Sequence, residues 1–132
     1  MPKTLLRLAL ASASLAAFLG TASAQQQVVQ DHFQTSAGKP VRVGVFALLG
    51  PNCTPAELKI GMPAVPHHGT VTLQQGKVHG SAAAKCPNVD LKGYSATYKP
   101  SAGFSGTDEM TIEVRAPSGQ TQQHKVTVQV AP

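Results

Sequence analysis

The residues predict an all-β chain, folded as an antiparallel β-sandwich. Three features carry that expectation. Apolar residues recur at period two in five separate stretches, turn-forming residues separate them, and no segment sustains a helical stripe.

The series opens with Val41, Val43 and Val45, which alternate with Arg42 and Gly44. Val71 and Leu73 follow among Thr70, Thr72 and Gln74, then Tyr94, Ala96 and Tyr98 around Ser95 and Thr97. Met110, Ile112 and Val114 alternate with Thr111, Glu113 and Arg115, and Val126, Val128 and Val130 with Thr127 and Gln129. Each stretch has one apolar and one polar face, the pattern of an antiparallel sheet wetted on one side. The separators are Ser36–Pro40, Gly50–Asn52, Pro66–Gly69, Gln75–Lys77, Lys99–Gly106 and Ala116–Gly119. Pro55–Ile60 has room for one turn of helix, which Gly61 and Pro63 would stop. Pro117-Ser118-Gly119 should join the last two strands as a hairpin. Two sheets packed face to face need an interior layer, and without tryptophan the bulky candidates are Phe46, Tyr94, Tyr98 and Phe104. A small barrel is the architectural alternative.

Residues 1–24 read as a secretory signal peptide. Lys3 and Arg7 form a positive n-region, Leu8–Leu19 is a short apolar run, and Ala22-Ser23-Ala24 is a cleavage pattern. The run is too short for a membrane span, and no later stretch is long enough. Cleavage after Ala24 leaves residues 25–132 as one domain of 108 residues. Lys3 and Arg7 depart with the leader, so nine basic residues remain against six acids, a net charge of +3. The charge is dispersed, with no basic run and no aromatic platform, so nucleic acid is not an expected partner. The expected location is periplasmic or secreted. Two cysteines in an exported chain, Cys53 and Cys86, point to one disulfide, and their spacing matches neither redox nor zinc patterns. Two free thiols acting as metal ligands are the alternative.

Tyr98-Lys99-Pro100-Ser101-Ala102-Gly103-Phe104-Ser105-Gly106-Thr107-Asp108 resembles the Y-x-P-x-x-G-F-x-G-x-D signature of bacterial immunoglobulin-like and cadherin-like tandem-repeat domains. Pro66-His67-His68-Gly69-Thr70-Val71 is similar to the family's P-x-x-G-x-V, and the strands that follow match in order. The resemblance spans about Gly61–Val130. It implies an immunoglobulin-like antiparallel β-sandwich that binds or spaces rather than catalyses; with the leader and the cysteine pair, the expectation is a single domain with one disulfide. The cysteine pair and the long segment Lys77–Gly93 depart from the family pattern, with Ser81–Lys85 read as a loop tied down by Cys86.

Phe104 is expected to plug the end of the sandwich, and Phe104, Gly106 and Asp108 to structure the loop around it. In the resembling family the aspartate sits at the start of a strand, where its carboxylate can accept backbone N–H bonds. Calcium held by Asp108, Glu109 and Asp90 is the rival reading, short of the six to eight oxygens calcium takes. His68 stands where the family places a turn former, so positive φ is expected there, with His67 facing solvent. A hairpin at Gly76 would bring His79 toward His67 and His68, and the three could then hold Zn or Cu. His32 and His124 read as isolated.

Enzymatic readings lack parts: there is no G-x-S-x-G, no paired carboxylate spacing, and the cysteines are expected to be oxidised. Two functions of different class follow. The first is a non-catalytic exported module that binds a protein or an envelope polymer through loops or an edge strand, with no cofactor. The alternative is a small periplasmic metal-binding protein using His67, His68 and His79 with Zn or Cu.

Overall fold

Nine strands form in the computed structural model, which describes residues 26–80 and 89–132, and β-branched and aromatic residues at alternating positions shape the principal core strands. They are β1 (Gln27–Ser36), β2 (Val41–Phe46), β3 (Leu48–Leu49), β4 (Pro55–Ala56), β5 (Lys59–Ala64), β6 (Gly69–Gly80), β7 (Val89–Pro100), β8 (Gly106–Arg115) and β9 (Thr121–Ala131). A short 3-10 turn, Pro51–Cys53, lies between β3 and β4. The proposed leader, the Ser81–Lys85 loop and Cys86 lie outside the described residues. Among the described residues no helix is long and apolar enough to cross a membrane.

The strands build a four-stranded sheet in the order β1-β9-β8-β5 and a three-stranded sheet in the order β2-β7-β6, with β3-β4 as a small ribbon beside them. These are two open sheets rather than a barrel. The interior is written into β8 and β9. On β8, Asp108, Met110, Ile112 and Val114 point inward, and on β9, Val126, Val128 and Val130 do so. They face Val43, Phe46, Ala96 and Tyr98 of the other sheet, and Leu58 joins them from the connection before β5. Ile112, Ala96, Tyr98 and Val128 are fully excluded from solvent. Dry aliphatic and aromatic surface between two sheets supplies the main driving force for this architecture.

Five expectations change. First, β1 pairs with β9 in parallel, Gln27 with Gln122 through Ser36 with Ala131, so the sandwich is not wholly antiparallel. Second, Pro55–Ile60 forms no helical turn; it supplies β4, a bend and the start of β5, because Ile60 is drawn into register opposite Val114. Gly61 and Pro63 do not terminate this segment. They sit in an edge strand whose register slips by one residue between Gly61 and Ala64, a position where a missing proline N–H costs no ladder bond. Third, a bulge between Arg42 and Gly44 reverses the alternation in β2, so Val45 turns outward, 49% exposed, and Phe46 turns in. Fourth, Leu73 is exposed, while Val71 packs on the core. Fifth, Gln75-Gly76-Lys77 makes no turn: β6 runs unbroken and pairs with β7 over twelve residues, Gly76 opposite Gly93.

The β8–β9 hairpin forms as expected. Gly119 N–H donates to Ala116 O (2.9 Å) and Gly119 adopts φ +88°. A type I turn followed by a left-handed glycine matches the right-handed twist of the flanking strands.

Candidate functional site

One end of the sandwich is organised by a single buried carboxylate. Asp108 follows the inward phase of β8, where an apolar residue would be expected, and is 2% exposed. Its Oδ1 accepts the backbone N–H groups of His67 (3.0 Å) and Glu109 (3.0 Å). Its Oδ2 accepts the His68 N–H (2.9 Å) and the Tyr98 hydroxyl (2.8 Å). Four donors thus fill the four lone-pair positions of one carboxylate. Burial pushes the Asp108 carboxyl up. The backbone bonds from His67 and His68, the Tyr98 hydroxyl and the Glu109 amide outweigh it and hold the group below its ordinary value. Burial, the hydrogen bond to Asp108 and its negative charge all push the Tyr98 hydroxyl up, so it remains a proton donor.

Two loops meet over this carboxylate. The β5–β6 connection brings the His67 and His68 amides to it, and His68 O accepts the Ser101 N–H (2.8 Å) from the β7–β8 connection. Phe104 N–H closes a turn onto Ser101 O (3.1 Å) with Gly103 at φ +78°, the geometry of a type II turn. Gly106 lies at φ +128°, a conformation that favours glycine, and starts β8 beneath the Phe104 ring. Phe104 packs on the core, and the His68 ring stacks on it at 4.3 Å with an interplanar angle of 7°. His67 and Val65 stand exposed beside this stack.

His68 does not adopt positive φ. Among the described residues the non-glycine positions that do so are Asn52 and Cys53. The two histidines instead aim successive amides at one anion. Gly69 serves close approach: a Cβ there would lie 2.5 Å from the Tyr98 ring and 2.6 Å from Lys99 O. Because a backbone oxygen cannot swing aside, Gly69→Ala should lower stability by about 1–3 kcal/mol, read by urea denaturation.

The three histidines do not converge. His79 pairs with Asp90 in the β6–β7 ladder. Eleven strand rises separate it from His68, roughly 35 Å. His67 and His68 have ring centroids 6.5 Å apart. Among the described residues no group of three or more His, Cys, Asp or Glu could hold a metal ion. The calcium reading meets the same geometry, since both Asp108 oxygens already face hydrogen-bond donors and Asp90 pairs far along the β6–β7 ladder.

His124 is not isolated. Its Nδ1 lies 2.8 Å from Asp31 Oδ2, its Nε2 lies 3.1 Å from Gln122 Oε1, and its ring meets Phe46 edge-on at 5.1 Å. Asp31 sits on β1, a strand whose inward residues Val29, Asp31, Phe33 and Thr35 mix apolar and polar, so period-two reasoning passed over both residues.

The sequence model of the bacterial Ig domain matches residues 21–129. The chain belongs to the bacterial Ig domain family. Comparison with curated proteins gives no match. Among solved structures the domain is similar to amebosin, in a solution structure, with a TM-score of 0.46 and 10% identity over 80% of this chain and 98% of that one. It is also similar to PbICP-C, in a structure of its complex with falcipain-2, with a TM-score of 0.42 and 15% identity over 85% of this chain and 95% of that one.

Proposed function

We propose that this bacterial Ig domain is an exported, non-catalytic module that binds a protein partner through the loop end held by Asp108. The observation that carries this reading is the four-donor carboxylate, which holds the β5–β6 connection on β7 and β8, so that the Ser101 N–H to His68 O bond joins the β7–β8 connection to it in one body with Phe104. Two loops ordered before contact lose less conformational entropy on binding than free loops. Family membership supports the same reading, because immunoglobulin-like domains commonly recognise partners through loops clustered at one end. Phe104, Gly106 and Asp108 act here as loop-structuring residues.

The test is a photo-reactive amino acid placed at Val65 or Ala102, at the loop end, and at Gln34 or Gln129 as controls on the four-stranded sheet. A discrete protein adduct from the first pair, in cells expressing the full chain, is the expected result. Equal labelling from all four positions sinks the idea. A polydisperse adduct from the loop end points to an envelope polymer instead.

Export has its own check. Intact mass should show a chain that starts at Gln25 and weighs two hydrogens less than its reduced form, for Cys53 joined to Cys86. Among the described residues no cysteine is free. Reduction of that bond should lower stability by about 3–4 kcal/mol in the chain-entropy account of a loop this long.

A further inference from the structure

A second site lies away from the loop end, between the sheets where β1 and β2 face each other. A cavity of about 670 Å³ opens there, within the usual range for small-molecule sites. Phe33, Phe46 and Leu58 form apolar walls, and Asp31, His124 and Gln122 form a polar side. Val45 and Leu48 line it while standing 49% and 38% exposed, so the cavity reaches solvent.

The inner stripes of β1 and β9 explain its chemistry. The β9 stripe runs Val130, Val128, Val126 and then changes to His124 and Gln122. The β1 stripe places Asp31 beside that change. A sandwich that needed only a dry core would continue with aliphatic residues. Here a carboxylate, an imidazole and an amide take the inward positions and hydrogen-bond to one another. Asp31 uses Oδ2 for His124, and no bond to its other oxygen occurs among the described residues. No Lys, Arg or Glu is among the described residues lining the cavity, whose ionisable groups are the Asp31 carboxylate and its partner His124.

We infer that this cavity binds a small ammonium compound with an apolar body. The ammonium group donates to the open oxygen of Asp31, and the body lies against Phe33, Phe46 and Leu58. His124, held between Asp31 and Gln122, positions the carboxylate and contacts the ligand along one ring face. The site shares no residue with the loop end, so either reading can fail without the other.

The experiment uses the mature protein and phenethylammonium as the probe, with 3-phenylpropionate and 2-phenylethanol as anionic and neutral matches of similar shape. Calorimetry should show saturable one-to-one binding of the amine, at least tenfold tighter than either match. Asp31→Asn should weaken it at least tenfold. Should Asp31→Asn fail to fold, shift perturbation on the unmodified protein decides: His124, Phe33 and Phe46 must move on titration while Val65 and His67 do not. Equal binding of the three probes, an unchanged affinity in a folded Asp31→Asn, or shifts confined to other residues would overturn the assignment. So would the absence of saturation at millimolar amine.

Discussion

Asp108→Ala is expected to destabilise the domain by about 3–5 kcal/mol, the largest effect of any single change at the loop end. It removes one acceptor and leaves four donors. The Tyr98 hydroxyl, enclosed in the core, is left with only the longer contact to His68 O (3.3 Å), while the His67 and His68 amides lose the bonds that hold the β5–β6 connection and the Glu109 amide loses its acceptor on β8. Bonds to a charged acceptor are worth more than neutral ones, and a buried donor left without a partner bears its full desolvation cost. For a domain of this size the loss corresponds to a drop in Tm on the order of 20 °C, measured by calorimetry. Asp108→Asn should recover only part, because one acceptor oxygen becomes an N–H₂ group facing donors. Either change should also abolish site-specific adducts from Val65 under conditions where the domain is still folded.

The sign of the pH dependence follows from the lowered carboxyl. Folding binds Asp108 in its ionised form, so its contribution is fully present above the unfolded-state pKa of about 3.9 and is lost as pH falls through the lower folded-state value. The stability gap between the natural protein and Asp108→Asn should therefore hold at neutral pH and narrow only below about pH 4. A gap that stays constant down to pH 2 would show that shape, not charge, is what the site requires.

Ile112→Ala should cost nearly as much, about 3–4 kcal/mol, for a different reason. Ile112 is fully enclosed at the middle of β8, between Met110 and Val114, so its deletion leaves a cavity that two rigid sheets can only partly close. Urea denaturation at neutral pH reads the loss. Unlike Asp108→Ala, this change leaves the Asp108 hydrogen bonds and the His68–Phe104 stack in place, so cross-linking from Val65 should survive in the folded fraction. Loss of the adduct in folded Ile112→Ala would show that the loop end depends on the core as much as on its carboxylate.

The comparison of these two residues shows what could be read from the chain. Ile112 was legible because its neighbours on both sides repeat with a clean period of two, and a sheet with one buried face demands that period. Asp108 was legible through the resemblance carried by Gly103, Phe104 and Gly106, which marked it as a residue that holds a loop. Its partners were not legible. The His67 and His68 amides lie forty residues away in sequence, and nothing in a His-His-Gly triplet announces that its backbone, rather than its imidazoles, is the working part. The pattern of side chains suggested a metal chelate, and the ladder between β6 and β7 disperses it. β1 went unread because Asp31 interrupts its inward stripe, and because its pairing with β9 is parallel and nearly a hundred residues distant.

Local order thus follows from the sequence alone: alternating apolar residues specify strands, and Gly103, Gly106 and Gly119 specify turns, since each effect acts over a few neighbouring residues. Registers, bulges and the meeting of distant polar groups were decided only in the folded state. The bulge in β2 shows why. A one-residue slip exchanges Val45 for Phe46 at the core, and its free energy depends on the space left by Gly44, Ala96 and the opposite sheet. The same holds for Asp31 with His124 and for Asp108 with Tyr98. A buried polar group is tolerable only when its partners arrive, and those partners stand on other strands and loops that only the folded state brings within reach.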